Sequence, residues 1–543
     1  MPLTYRRPGV YLEESLLSSA GDVSNATSVA MFVGAASKGP ANEPVRVETW
    51  GDYTAIFGGF DVVPNSSASA LSYLPYSVYS YFQNGGRTAY VVRSVPTSGS
   101  TGLASTITVT GVPFAGGSAT TAFILTARSV GVWGSKLSYI LRIQETTGTS
   151  PVTECVFTLQ IALTTNGVTE IVENFTNLSV TGTLSGTRSV SSAINDSVSG
   201  SRYVQVSTAS TSVVPAEALT AVPLAGGTNP GLPDAGTLSG SATTALPQVD
   251  GPVVLNIVGY TPDISTVDTA SWGWVGTTLA SSAITDRQDI FIVNDNCAPR
   301  ELGLSVASYK SRMLNSSNLG ANPGDSYSAS YGPWIVISNP LRPGAVMAIP
   351  PGGAVMGMMA RIDATMGVSR APAGVVAGLS NAIGVQAKFT DSDLGDINSS
   401  NVNVIRSVVG SGIAVMGART RKSYGADRYV SARRTLIYVR EVLRRSTQFA
   451  VFENNDSRLW GSLRMAAERI LRPLWESGGL RGANAAEAYY IRCDETINTS
   501  AVISAGEVRM EIGVALEYPA EFVIIRVSQF DRGQFTTEVT ARA

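Results

Sequence analysis

The chain has 543 residues, with 39 Lys+Arg against 41 Asp+Glu, a formal charge of -2 and no histidine. The missing histidine excludes a Ser-His-Asp triad, a Cys-His dyad and any His-ligated metal, and the even charge balance supplies no basic excess for neutralising nucleic-acid phosphates. At about 150 residues per domain the length allows three or four domains, and a charged fraction of only 15%, against about 25% in ordinary soluble domains, predicts a surface that lies largely against neighbours.

In chain order, the opening Met1 to Gly9 lacks an apolar h-region, so no secretory signal is expected and assembly is read as cytoplasmic. Residues 1–14 read as an extended arm, because Pro8 blocks a helix and Val10 and Leu12 alternate with Tyr11 and Glu13. Apolar runs at Val29–Val33 and Thr88–Val92 have the character of buried strands. Between them Leu71–Phe82 has helical length and stops at Asn84-Gly85-Gly86. Strand–helix–strand implies an α/β layer.

The composition then changes. Ser94 to Ala127 holds no charged residue, and β-type runs recur at Phe123–Thr126, Leu137–Ile143, Val156–Leu163 and Tyr203–Val206 between Gly/Ser/Thr/Asn clusters. That predicts a β-rich domain inserted at 94–250. The α/β pattern returns with strands at Val253–Val258 and Asp289–Val293 and a helix at Trp274–Arg287. The Gly/Pro-rich tract Pro340–Pro372 reads as a long functional loop with little regular structure.

The last 130 or so residues carry the strongest periodicity. Arg433–Ser446 is a helix with Leu436, Val439 and Leu443 on one stripe. Asn455–Ser477 is a second, with Leu459, Trp460, Leu463, Ala467, Ile470, Leu471 and Leu474 as its apolar face and Gly478-Gly479 as its stop. Glu507–Glu517 alternates, Val508, Met510, Ile512, Val514 and Leu516 inward, as a half-exposed antiparallel strand does. Phe522–Val527 reads as a central strand, and the tail after Asp531, with Phe535 and Val539, as a second extended arm.

Motifs for chemistry are sparse. Cys155, Cys297 and Cys493 lie too far apart for metal-ligand spacing and are expected as buried free thiols. Gly352 to Gly357 loosely echoes a dinucleotide loop but follows Pro350-Pro351 rather than a strand, and Gly131 to Lys136 lacks P-loop spacing. Asp391, Asp393 and Asp396 read as a solvated loop rather than a Ca²⁺ site. The most apolar stretch, Gly344–Met359, is interrupted by Pro350-Pro351 and cannot supply the ~20 residues of a membrane span. No cofactor, no metal and no catalytic centre is expected, and no direct nucleic-acid contact or membrane insertion.

An ordered set of blocks resembles contractile phage tail sheath proteins. It comprises Arg7-Pro8-Gly9-Val10-Tyr11-Leu12-Glu13-Glu14; Phe82-Gln83-Asn84-Gly85-Gly86 with Ala89 to Arg93; Tyr331-Gly332-Pro333-Trp334; Pro350 to Gly357; and Gly412 to Thr420. It continues with Arg433-Arg434, Val451 to Asn455, Leu459-Trp460, Leu474 to Gly482, Cys493-Asp494 and Pro519-Ala520-Glu521-Phe522. The family often has an aromatic where Gly332 stands, and residues 94–250 match only faintly.

The resemblance implies an α/β (α+β) core formed by the N- and C-terminal parts, with a β-rich insertion and extended terminal arms. The expected organisation is a linking arm at 1–14, the first part of the core at 15–93 and an outward insertion at 94–250. A middle α/β domain at 251–400, the conserved C-terminal sheath domain at 401–527 and a second linking arm at 528–543 complete it. It also implies a helical homo-oligomer around a tail tube, with baseplate and tail terminator as partners, in a virion tail assembled in the host cytoplasm. Such a sheath is built extended and metastable, and contracts to drive the tube through a cell envelope for genome delivery; the sheath of a phage-tail-like injection particle is the alternative.

On this reading Tyr5, Val10, Tyr11, Leu12, Phe535 and Val539 mark the inter-subunit arms, and Val508, Met510, Ile512, Phe522 and Ile524 the sheet that receives them. Both termini folding onto their own domain is the competing reading. Arg433, Arg434, Arg440, Arg444 and Arg445 are the expected tube-facing residues; a solvated helix face or intrachain pairs with nearby Glu is the other possibility.

Overall fold

The computed structural model describes residues 29–60, 72–96, 101–114, 116–147, 154–165, 167–231, 233–258, 287–295, 305–308, 310–311, 326–410, 412–521, 527–531 and 534–538. The described chain starts with β1 (Val29–Gly34), β2 (Pro44–Val47), α1 (Trp50–Phe57), α2 (Leu74–Gln83) and β3 (Ala89–Arg93). Nine strands of the insertion follow: β4 (Thr106–Pro113), β5 (Thr120–Ala127), β6 (Leu137–Thr147), β7 (Glu154–Thr165), β8 (Val168–Ser179), β9 (Arg188–Ser189), β10 (Val204–Ala209), β11 (Val213–Pro215) and β12 (Ala218–Pro223), with α3 (Val190–Ile194) between β9 and β10. Then come α4 (Ala235–Ala245), β13 (Val253–Ile257), β14 (Ile290–Asp295), β15 (Ser328–Gly332), β16 (Ile335–Ser338), β17 (Val346–Ile349) and α5 (Gly352–Met366). The path continues through β18 (Gly384–Val385), α6 (Asp391–Ser399), β19 (Val402–Val408), β20 (Gly412–Val415), α7 (Val430–Ser446) and α8 (Ser457–Glu476). It ends with α9 (Ala485–Ala488), β21 (Tyr489–Arg492), α10 (Ser500–Ser504), β22 (Glu511–Val514), β23 (Val527–Asp531) and β24 (Gln534–Glu538).

The central sheet runs β2-β3-β1-β13-β14-β15-β19-β20. Its six inner strands pair parallel, and antiparallel β2 and β20 close the two edges. A parallel sheet needs cover on both faces, which is why β1, β13 and β14 are mostly apolar, with Asn256 inside β13 and Asn294-Asp295 at the end of β14 as the polar exceptions. Successive residues of β1 serve opposite faces: Ala30 and Phe32 join a core with α2 and α5, while Met31 and Val33 pack with Leu238, Ala242 and Ala245 of α4. The fold is α/β, as the strand–helix–strand pattern implies. The expected helix at Trp274–Arg287 lies outside the described residues except for its last position, and so does most of the strand expected at Phe522–Val527.

The Gly/Pro-rich tract departs from expectation. Instead of a loop, Pro340–Pro372 contains β17 and the fifteen-residue helix α5, buried along most of its length. Pro350 and Pro351 stand just ahead of the helix, where a missing N–H is harmless. The glycines, which weaken a helix by about 1 kcal/mol each, let α5 cross α2 at backbone contact. A Cβ on Gly353 would lie 2.0 Å from the Ser77 carbonyl oxygen, and one on Gly357 2.3 Å from that of Tyr81. Met356, Met358, Met359 and Ile362 are buried in return. A strand therefore does precede Gly352, and the first N–H of the helix is taken by a carboxylate of the chain itself: Gly352 N donates to Asp295 Oδ1 at 2.6 Å.

Asp295 is itself a titrating element. Burial pushes its carboxyl up to about 6, against hydrogen bonds from Asn256 and the Gly352 N–H that pull it down. The folded value lies above the ordinary 3.8, so the contribution to stability is full at low pH and is lost as pH rises through about 6, a difference of about 3 kcal/mol. Asp295→Asn is expected to flatten the pH dependence of the unfolding midpoint between about pH 4 and about pH 6. An unchanged slope would assign the titration to another group.

The insertion is two facing sheets, β10-β5-β4-β11 and β12-β6-β7-β8-β9. Their shared core holds Leu125, Leu141, Leu159, Ile161 and a stacked Phe123–Phe157 pair with centroids 6.2 Å apart. Although α4 falls within 94–250, it packs on the central sheet, because Leu238, Ala242 and Ala245 bury there. The insertion is tied to the body by Arg93, which is fully buried. Its Nε and Nη1 donate to the carbonyls of Ala36 and Gly39, and its Nη2 to that of Val130 in the insertion. Desolvation pulls this guanidinium down to about 10. Three carbonyl acceptors substitute for a counter-ion.

Candidate functional site

The C-terminal third holds the expected sheet template and the arginine helix. α7 forms as expected, with Ile437, Tyr438, Val439 and Leu443 buried and Leu436 half-buried. Its arginines do not line up on a free surface. Arg433 and Arg434 are each only 3% exposed. Arg433 pairs with Asp427, and its guanidinium lies 4.2 Å from the Tyr327 ring centroid. Arg434 forks onto Asp363 of α5, with Nη1 2.9 Å from Oδ1 and Nη2 paired with Oδ2. Arg444 and Arg445 remain about half exposed, and both hold Glu441 at 2.7 and 2.5 Å; Arg440 is half-buried.

The tube-facing expectation is therefore corrected for Arg433 and Arg434, which brace the interior. Their carboxylate partners arrive from Asp363 and Asp427, on other elements, and helical spacing inside α7 carries no trace of them. Around Asp427, burial raises the carboxyl, but Lys422 and Arg433 outweigh it and hold it below its ordinary value. Glu441 behaves alike: burial raises it, and Arg444 and Arg445 outweigh burial.

α8 starts at Asp456, whose carboxylate accepts from the N–H groups of Arg458 and Leu459. Its buried residues are the seven of the expected apolar face. The opposite stripe, Arg458, Ser462, Met465, Arg469 and Arg472, faces outward, with Met465 65% exposed. Arg472 pairs with Glu468 at 2.7 Å, whereas Arg458 and Arg469 form no ion pair among the described residues. The period of 3.6 that revealed the inner face also points to this outer one, and sequence reasoning passed over it.

β21 and β22 form a two-stranded antiparallel sheet, Tyr489 opposite Val514 and Arg492 opposite Glu511. Ile491, Met510, Ile512 and Val514 pack its underside on the α7–α8 core, and Val508 and Met510 also touch Leu459, Trp460 and Leu463. The regular strand is shorter than Glu507–Glu517: at Arg509 the side chain of Asn498 takes both main-chain bonds, accepting at 2.7 Å and donating at 2.9 Å. Among the described residues this sheet has only two strands. The tail turns back on itself, β23 pairing antiparallel with β24 and placing Phe530 opposite Phe535. Tyr5, Val10, Tyr11, Leu12, Phe522, Ile524 and Val539 lie outside the described residues.

Elsewhere, Asp391, Asp393 and Asp396 begin and line α6 rather than a loop. Thr390 and Asp393 form its capping box, and Lys310 reaches Asp393 and Asp396 at 2.6 Å. Among the described residues no group of three or more His, Cys, Asp or Glu is arranged to hold a metal, and no helix is long and apolar enough to cross a membrane. Cys155 and Cys493 are buried free thiols, Cys155 pushed up to about 12 by burial first and by Glu154 next. Cys297 lies outside the described residues.

Comparison with known proteins agrees with this anatomy. Residues 426–530, which include α7, α8 and the β21–β22 sheet, match the family model of the phage tail sheath C-terminal domain. No curated protein matches the chain. Among solved structures, the sheath of the extracellular contractile injection system PVC in its contracted state aligns with a TM-score of 0.54 and 20% identity, over 98% of this chain and 99% of that one. The contracted helical sheath of the anti-feeding prophage gives 0.52 and 20%, over 97% and 100%. A sheath tail protein from Listeria innocua gives 0.55 and 15%, over 93% and 97%. Residues 426–530 thus match a phage tail sheath C-terminal domain, and the chain has the fold of the solved contractile sheath proteins.

Proposed function

We propose that this chain is the structural subunit of a contractile tail sheath, stacked in many copies around a tail tube. The observation that carries the reading is a sheath C-terminal domain embedded in a body that follows contracted sheath subunits over nearly the whole chain. Head-to-tail contacts between unlike surfaces build an open helix rather than a closed ring. The β21–β22 sheet suits the linking role, since its apolar underside is held on α8 and its outer edges can accept strands from neighbours. Residues 1–14 and the tail from 528 onward are the strands assigned to it.

The tube is assigned to the outer stripe of α8, where Arg458 and Arg469 flank Met465 and suit an acidic, partly apolar tube face. Energy stored at assembly would drive contraction, with the extended lattice as a kinetic trap. An infectious tail and an injection particle share this reading, and genome or protein cargo would follow from what fills the tube. Baseplate and terminator would cap the two ends of the cylinder, and assembly is assigned to the host cytoplasm.

Negative-stain electron microscopy tests the proposal. Full-length protein mixed with tail tubes and baseplates is expected to form striated cylinders on the tubes, and protein lacking residues 1–14 to stay dispersed. Full-length protein that leaves the tubes bare would overturn the sheath reading. Cylinders that form equally well without residues 1–14 would overturn the arm assignment.

A further inference from the structure

Two segments far apart in the chain meet beside the central sheet. Arg419 follows β20 and is 5% exposed. Its own backbone is fixed by Asn403 of β19, whose Oδ1 accepts from Arg419 N at 2.7 Å and whose Nδ2 donates to Arg419 O at 2.8 Å. Asn403 is fully buried, and a Cβ on Gly417 would come within 2.8 Å of its Oδ1. The Arg419 guanidinium is then spent on three acceptors. Nη1 donates to the carbonyl of Asn398 at 2.8 Å, Nε donates to Glu521 Oε1 at 2.7 Å, and Nη2 pairs with Oε2. The Glu521 side chain is only 17% exposed. A two-pronged guanidinium–carboxylate fork fixes direction as well as distance.

We propose that Arg419 and Glu521 form a root clamp, fixing the point and direction in which the C-terminal segment leaves the body. Arg419 is in this sense a positioning residue for assembly. The clamp ties Glu521, near the end of the 426–530 match, directly to the central sheet: tension on residues beyond 521 passes through the fork to Asn403 and β19, the seventh strand of that sheet. β23, which pairs with β24, begins only six residues beyond the clamp, so freeing the root would spread the positions of both strands and weaken any pairing with a neighbour. This assembly role rests on the sheath reading, whereas the clamp itself is a property of the single chain.

The test uses amide hydrogen exchange on the full, unassembled chain, with Glu521→Gln and Arg419→Lys. Both keep side-chain size while losing the charged fork. Exchange in residues 515–521 and 527–531 is expected to rise about tenfold or more, with α5 and α8 unchanged. Unchanged exchange in those two stretches would overturn the clamp, and so would loss of protection spread across α7 and α8, since Glu521 would then stabilise the domain at large. On tail tubes, wild-type sheath should form and the Glu521→Gln variant should give several-fold fewer or shorter sheaths. Normal sheaths from that variant would overturn the positioning role. Bare tubes with wild-type protein would instead count against the sheath reading and leave the exchange result to decide the clamp.

Discussion

Asp363→Ala is expected to lower the stability of the unassembled chain by about 3–5 kcal/mol, the range seen when one member of a buried ion pair is removed. Asp363 sits on α5 with its side chain 2% exposed, and Arg434 on α7 with its side chain 3% exposed. Without the carboxylate, a guanidinium buried between two helices would lose the two-pronged, charge-assisted fork that offsets its desolvation. The midpoint of urea unfolding, followed by Trp460 and Trp475 fluorescence on α8, reads the loss. A shift worth less than about 1 kcal/mol would mean that water reaches the site and that the pair behaves as a surface one. Arg444→Ala supplies the contrast: that side chain is 42% exposed, so a change below about 1 kcal/mol is expected from the loss of its pair with Glu441. Replacing both Asp363 and Arg434 by Leu and Met should recover most of the loss, because the charge and its counter-charge leave together.

The same pair marks the boundary of what sequence could disclose. Signals confined to one element were legible. The apolar stripe of α8 follows from the period of 3.6, and the buried runs of β1, β13 and β14 from the demands of a parallel sheet covered on both faces. Facts made by two elements were not. Nothing within Arg433–Ser446 says that Arg433 and Arg434 turn inward, since their carboxylates come from Asp427 and Asp363. The glycines of α5 looked like loop residues because their reason, contact with the α2 backbone at Ser77 and Tyr81, lies on another helix. At Arg509 the alternation of a strand continues, yet a side chain, Asn498, takes the place of a neighbouring strand. Among the described candidate residues, Val508, Met510 and Ile512 pack on α7 and α8, Arg433 and Arg434 turn inward, and α8 presents an outer surface that periodicity already contained.

Reversing Arg458 and Arg469 together to Glu is expected to abolish sheath formation on tail tubes while leaving the chain folded. Both side chains are exposed and form no ion pair among the described residues, so stability should fall by no more than about 0.5 kcal/mol. Arg458 stands in the first turn of α8, where the helix end is partially positive, and a carboxylate there is if anything favourable by about 0.3–1 kcal/mol. Unfolding is thus a poor explanation for any loss of assembly. The two positions are eleven residues apart, roughly 16 Å along the helix, so each can meet a separate acidic group on the tube. A single exposed contact is worth only about 0.2–1 kcal/mol, but it repeats in every subunit of a cylinder, and reversal turns each attraction into a repulsion. Wild-type sheath yield on tubes should fall as salt rises from about 0.1 M toward 1 M, where the screening length shrinks from about 10 to about 3 Å. Cylinders formed by the reversed protein at wild-type yield would remove α8 from the tube interface and return the half-exposed Arg444 and Arg445 of α7 to candidacy.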